Sequence, residues 1–312
     1  MKILVTGGSG MVGQNLKDLE EKYSMHQFVY LSSSMCDLRN KYETECFFQD
    51  GNFDSIIHLA ANVGGLYKNM NHNIEMFSDN IKINENVLSA CDKYGVTKGI
   101  FILSSCIYTP NPSKFPMDES MIHESAPHPS NEGYAYAKRM LEMQCRNYNK
   151  KGRNYICLIP VNLYGKYDNF KRGEAHVIPE LMHRFYLGHK HGMENYEVYG
   201  TGNPLRQFLY AGDFAKIILK VLFDESYEYG SSMIICNDEL KIKEMVKVLC
   251  NVVGINSELI EYNSEMSDGC MRKTVSNEKF KKKYMEFKFM SLKDGLTLTY
   301  EWFKNNYEVV RK

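Results

Sequence analysis

The chain has 312 residues, 44% of them apolar and 24% charged, and its 38 basic residues balance 38 acidic ones. A neutral balance excludes the broad positive field that non-specific binding to nucleic acid or an anionic membrane needs, so an anionic ligand must be held by a few placed cations. No apolar run approaches the ~18 residues that span a bilayer, and MKILV stops at TGGSG, too soon for a signal-peptide core; a soluble, cytoplasmic protein is expected.

Short apolar, β-rich runs recur along the first half with helical patterns between them: KILVTG (2–7), FVYLSS (28–33), SIIHLAA (55–61), GIFILSS (99–105) and YICLIPVNLYG (155–165). Near-continuous apolar strands belong to a parallel sheet covered on both faces, so the fold class is α/β: a doubly wound sheet of the Rossmann type with a second, smaller α/β unit. The expected division is a cofactor unit of residues 1–165 plus 205–235 and a substrate unit of residues 166–204 plus 236–312. Nine scattered cysteines without a C-x-x-C pair predict neither a zinc site nor a disulfide framework, and no metal is expected.

TGGSGMVG joins the first strand to a helix beginning near Met11. It satisfies G-x-G-x-x-G at Gly8, Gly10 and Gly13, and a G-x-x-G-x-x-G frame through Gly7. Glycines allow the tight turn and close approach to a pyrophosphate, whose charge is met by the helix N-terminus. The alternative, a turn that merely packs tightly, is weaker because the motif sits between first strand and first helix. The second strand is followed by Ser32, Ser33 and Ser34, with Asp37 and Arg39 later, so no carboxylate stands where it would repel a 2′-phosphate. NADP is therefore favoured over NAD.

The helical stretches 73–95 and 133–152 carry apolar residues on more than one face, which predicts that they pack on the sheet and on a second copy of the chain. In the second of them Tyr134 and Lys138 are four residues apart and share one face. A nearby ammonium favours the phenolate and moves a tyrosine from its usual ~10 towards a range useful for proton transfer. Tyr136 competes for this role but has no lysine four residues on. Ser104, at the end of its strand, is placed to hydrogen-bond a substrate carbonyl. Strand alternation points Cys106 the same way, where a thiol with its usual pKa of ~8.5 lowered by positive charge would serve as a base. His176 is a candidate partner acid, while His183 and His189 read as surface residues.

Gly-turn, Ser104, Tyr134 and Lys138 together resemble the extended, nucleotide-sugar-modifying branch of the short-chain dehydrogenase/reductases. Dehydratases of that branch place an Asp-Glu pair just after the strand-end serine or threonine; here Ser105, Cys106 and Ile107 follow, which disfavours dehydration. The motifs VTGGSGMVG, AANVGGLYKN, SSCIY, YAYAKR, PVNLYGKYDNF, HVIPEL, YGTGNPLRQFLY and SDGCMRK are similar to the 3,5-epimerase/4-reductases of GDP-4-keto-6-deoxy-D-mannose. The resemblance implies NADPH as cofactor, a GDP-sugar as substrate and a homodimer. It implies cofactor contacts at Gly7, Gly10, Met11, Val12, Gly13, Asp37, Leu59, Ala60, Ala61, Lys138, Pro160, Val161, Asn162, Leu163 and His176. It also implies GDP contacts at Arg184, Tyr199, Arg206 and Lys273, and a catalytic set of Ser104, Cys106, Tyr134, Lys138 and His176. Tyr199 stands where the family often has tryptophan. Two other readings remain open: a simple 4-reductase or 4-epimerase on another nucleotide sugar, and a catalytically silent NADP-binding sensor.

Overall fold

A computed structural model describes residues 1–226, 230 and 232–312. Residues 227–229 and 231, inside the 205–235 segment assigned to the cofactor unit, lie outside the described residues. The apolar runs become strands β1 (Lys2–Thr6), β2 (Gln27–Leu31), β3 (Ser55–His58), β4 (Lys98–Ile102) and β5 (Asn154–Pro160). Six more follow: β6 (Asn162–Tyr164), β7 (Tyr196–Tyr199), β8 (Leu205–Tyr210), β9 (Ser232–Ile235), β10 (Glu239–Lys241) and β11 (Ile260–Asn263). The helices are α1 (Met11–Lys17), α2 (Lys41–Gly51), α3 (Leu66–Asn71), α4 (Asn73–Lys93) and α5 (Glu132–Lys150), then α6 (Val177–Lys190), α7 (Ala211–Leu222), α8 (Ile242–Val253), α9 (Glu278–Lys283) and α10 (Leu292–Asn305).

The main sheet runs β2-β1-β3-β4-β5-β9 with every pair parallel. Ile3, Leu4, Val5, Ile56, Ile57, Ile100 and Phe101 have no exposed surface. A strand can be apolar at consecutive positions only if both faces are covered, and the helix pairs α1/α7 and α4/α5 supply the cover. The order reverses between β1 and β3, which opens a crevice at the carboxyl ends of those strands.

The run 155–165 does not form one strand. β5 stays in the main sheet, Val161 donates its amide to Ile235 O at 3.2 Å, and β6 turns away to pair with β8. The sheets β10-β8-β6 and β11-β7, with α6, α8 and α10, surround a second core that includes Phe185, Met245, Leu249 and Phe303. Val275, Phe280 and Tyr284 return to the first core.

One buried polar chain ties the cofactor side of the sheet to α5. Thr6 Oγ1 accepts the amides of Leu59 and Ala60, each at 3.2 Å, so its own hydrogen goes to His58 Nδ1 at 2.8 Å. That acceptor role fixes the other ring nitrogen as N–H, which donates to Asn84 Oδ1 at 3.2 Å. Asn84 Nδ2 in turn donates to Ala137 O on α5 at 3.3 Å.

His58 is fully enclosed, and burial, with the Lys138 charge adding to it, pushes the imidazole down to about 3. From pH 6.5 down to about 3 the unfolded chain binds a proton at this site and the native state does not, so stability falls as pH is lowered through that window. We expect His58→Leu to cost about 2–4 kcal/mol at neutral pH, because it leaves Thr6 and Asn84 unpaired in the core. The variant should also flatten the acid limb of the stability profile. Thermal midpoints measured from pH 7 to pH 4 check both; an acid limb as steep as that of the natural protein would contradict the assignment.

Candidate active site

The glycine turn has the shape its composition implied. Gly7 has φ +68°, and a Cβ there would lie 2.9 Å from Ala60 N. One on Gly13 would meet Gly8 O at 2.6 Å. Gly10 caps α1 without any side chain, and the first turn of α1 contains no acidic residue. The amides of Met11, Val12 and Gly13 therefore remain for an anion. Leu59, Ala60 and Ala61 follow β3 beside this turn, and Pro160 to Leu163 lie where β5 passes into β6. These residues fit a dinucleotide: a backbone cradle that a side chain would fill, at the crevice where the strand order reverses. Beyond β2, Asp37 is gripped by Arg39 at 2.8 Å, and Arg39 also reaches Asp79 at 3.5 Å. The guanidinium holds the Asp37 carboxyl below its usual range.

Ser104 and Cys106 come together, though by a different device from strand alternation. β4 ends at Ile102, and Ser104 caps a single 3-10 turn, Ser105–Ile107, whose Cys106 amide donates to Ser104 Oγ at 3.3 Å. A serine's ability to cap a turn won over the extended preference of the apolar run that precedes it. α5 packs on this turn. Arg139, a residue the sequence reading did not single out, fastens it by donating to Ile107 O at 2.7 Å and Ser125 O at 2.6 Å. Tyr136 packs beside that guanidinium, 5.7 Å from ring centre to Arg139 Cζ, which separates its role from that of Tyr134.

The ionisation states differ from the expectation. Lys138 Nζ donates to Ile102 O at 2.7 Å and lies 5.7 Å from the Tyr134 ring centre. Burial nevertheless raises the Tyr134 pKa, with Cys106 adding to the rise, so the phenol stays protonated where a lowered pKa was anticipated. Burial brings Lys138 down to about 8. Cys106 is also corrected: burial raises its pKa, and the Lys273 charge, the Ser104 hydrogen bond and the Lys138 charge only offset part of that rise. His176 caps α6 without a side-chain bond; its accessible surface is large, yet the cleft walls around it lower its pKa, leaving a neutral imidazole at pH 7. Its loop is set by Gly65, whose amide donates to Glu174 O at 2.9 Å and where a Cβ would fall 2.3 Å from Ala175 O.

His183 is buried rather than superficial. It donates from Nδ1 to Phe170 O at 2.8 Å and accepts at Nε2 from Tyr307 at 3.2 Å, because helical position, not polarity, decides which face it occupies. Arg206 donates to Leu205 O at 2.9 Å and Asp268 O at 3.3 Å, and Lys273 has no hydrogen bond or ion pair among the described residues. Burial lowers both, and the Arg206 charge adds to the fall at Lys273; burial, then the Lys273 and Arg206 charges, lower the pKa of His128, a residue the sequence reading missed. Arg184 lies 4.4 Å from the Tyr199 ring centre and is held by Glu180 at 3.0 Å.

The model of the NAD dependent epimerase/dehydratase family matches residues 3–233. The chain belongs to this family and, within it, to the GDP-L-fucose synthases. It is 40% identical to the GDP-L-fucose synthase of Dictyostelium discoideum, over 99% of this chain and 97% of that one. It is 36% identical to the probable GDP-L-fucose synthase of Drosophila melanogaster, over 100% and 99%. The crystal structure of a GDP-L-fucose synthetase from Naegleria fowleri bound to NADP superposes with a TM-score of 0.92 at 36% identity, covering 100% of this chain and 95% of that one.

The raised thiol pKa has a measurable consequence. Alkylation of Cys106 by iodoacetamide, followed by peptide mass spectrometry, should be slow at pH 7 and accelerate as pH rises past the usual thiol range. Lys273→Met should slow it further, since that change removes the largest charge opposing burial; equal rates in the two proteins would contradict this account.

Proposed function

We propose that this protein is a GDP-L-fucose synthase, which inverts C3 and C5 of GDP-4-keto-6-deoxy-D-mannose and reduces C4 with NADPH. The observation that carries the reading is the Cys106 thiol set beside Ser104 in the turn after β4, against which α5 packs with Tyr134 and Lys138. A simple reductase needs only the last three.

C3 and C5 both adjoin the C4 ketone, so loss of a proton from either gives an enolate. Ser104 and Tyr134 are the donors that stabilise its oxygen. Cys106 and His176 form the acid–base pair. They start as thiol and neutral imidazole, and transfer of the thiol proton to the imidazole makes the thiolate and imidazolium that epimerisation uses. The thiolate removes a carbon proton and the imidazolium returns one to the opposite face, which restores the neutral pair. Lys138 and Lys273 lower the cost of the thiolate. Bound NADPH supplies the hydride for C4. Tyr134, kept protonated by its burial, gives its proton to the developing C4 oxygen.

Lys138 and the amides of Met11 to Gly13 hold the cofactor, with Arg39 near the ribose that distinguishes NADP from NAD. Arg206 and Lys273 hold the diphosphate, and Tyr199 with Arg184 forms the base site. The division into residues 1–165 plus 205–235 and 166–204 plus 236–312 draws support from the presence of two cores, although Tyr164, Phe208 and Tyr210 pack in the second core and Cys236 and the segment Val275 to Tyr284 in the first. A homodimer through α4 and α5 accounts for the exposed Ile74, Phe77 and Met143 on those helices. Nine free cysteines accord with the reducing cytoplasm.

Purified protein with NADPH and GDP-4-keto-6-deoxy-D-mannose in deuterated water should yield GDP-L-fucose labelled at C3 and C5. Cys106→Ala should lose the label, and full labelling in that variant would remove Cys106 from the mechanism. Tyr134→Phe should lower NADPH oxidation about 10²–10⁴-fold while label exchange persists. A single monomeric species at micromolar concentration in sedimentation would refute the dimer.

A further inference from the structure

The base site contains more than Tyr199 and Arg184. α3 brings Tyr67 against Tyr199, ring centres 6.4 Å apart and planes at 90°. Arg184 covers Tyr199 at 4.4 Å, and its terminal nitrogens are used: Nη1 by Glu197 O at 2.9 Å and Nη2 by Glu180 at 3.0 Å. Two polar atoms of this cluster are buried without a hydrogen-bond partner, the Tyr67 hydroxyl and Arg184 Nε. Buried donors left unpaired cost stability, so each calls for an explanation, a bound partner among them.

Both atoms are donors here. Arg184 Nε–H can do nothing else. Burial and the neighbouring Tyr199 raise the Tyr67 pKa, so its proton is retained. The nearby Arg184 charge opposes that rise only in part. α3 also overlies the neighbouring part of the cleft: a Cβ on Gly269 would find Leu66 at 3.7 Å and Arg206 at 3.8 Å. Leu66, the neighbour of Tyr67 on α3, thus lies close to Arg206, the cation assigned to the diphosphate.

We propose that Tyr67 is a specificity-determining residue of the nucleotide site, its hydroxyl and Arg184 Nε–H together reading the O6 and N7 edge of guanine. This rests on the GDP-sugar reading above. Guanine offers two adjacent acceptors on that edge, whereas adenine offers one acceptor and one donor, and pyrimidines have no N7. Two fixed donors therefore select guanine.

Calorimetric titration of the full chain with GDP, IDP and ADP, comparing natural protein with Tyr67→Phe, tests the assignment. The substitution removes one oxygen and keeps the ring. GDP affinity should fall about five- to tenfold, the size of one buried neutral hydrogen bond. IDP, which shares O6 and N7, should fall equally. ADP should change less than about twofold, as should NADPH, whose binding with an unchanged thermal midpoint reports an intact fold. Equal losses for GDP and ADP would mean that Tyr67 only packs, and unchanged GDP affinity would mean that it does not touch the base; either overturns the proposal. Failure of the natural protein to prefer GDP to ADP would overturn the GDP-sugar reading as well.

Discussion

The Thr6 hydroxyl accepts two amide hydrogens and so has a single hydrogen left to give, and His58 receives it. From that one constraint the tautomer of His58, the orientation of Asn84 and the seat of Ala137 follow in order. The chain crosses β1, β3, α4 and α5, which means that the turn cradling a dinucleotide and the helix carrying Tyr134 and Lys138 share a rigid internal reference. A core of aliphatic side chains would hold these elements at similar density but would permit small slides between them. Directional bonds do not, and proton transfer loses efficiency over displacements of about 1 Å.

Charge is distributed by the same logic of enclosure. The protein is formally neutral, and a number of its cations pair with carboxylates at the surface, as Lys93 does with Glu45 at 2.5 Å. Lys138 and Arg206 donate their hydrogen bonds to backbone carbonyls, and Lys273 has no bonded partner among the described residues. Burial lowers the pKa of all three, which is the mark of cations desolvated without a counter-charge. Enclosed positive charge of this kind is stabilised by an anion brought from outside. A nucleotide diphosphate and a dinucleotide cofactor supply such charge, so the neutral overall balance and the binding of anions are compatible.

The parallel sheet was legible because consecutive apolar residues in β1, β3 and β4 cannot satisfy a one-sided environment. The glycine turn was legible because Gly7 and Gly13 occupy places where any Cβ meets backbone. The break at Val161 was not, since a continuous apolar run says nothing about which sheet each residue joins. Nor was the burial of His183, whose helix turns it inward to bond with Phe170 and Tyr307 across large sequence distances. Ionisation states were the least legible part. Lysine four residues from tyrosine suggests a lowered phenol pKa, but desolvation depends on everything packed around the pair, and here it dominates.

The turn at Ser104 shows how a local misreading can still reach the right neighbours. Strand alternation would have pointed the Ser104 and Cys106 side chains in parallel from an extended backbone. In the actual 3-10 turn the serine oxygen accepts the Cys106 amide, so one of its lone pairs is committed to the protein and its hydrogen is directed elsewhere. A hydroxyl anchored through its oxygen is a better-defined donor than a free one, because its remaining rotation costs that bond. On the proposed mechanism the same hydrogen meets the C4 oxygen. The residue that shapes the backbone under the thiol is then also the residue that polarises the ketone, and the spacing between base and carbonyl is set by a single turn rather than by two independent elements.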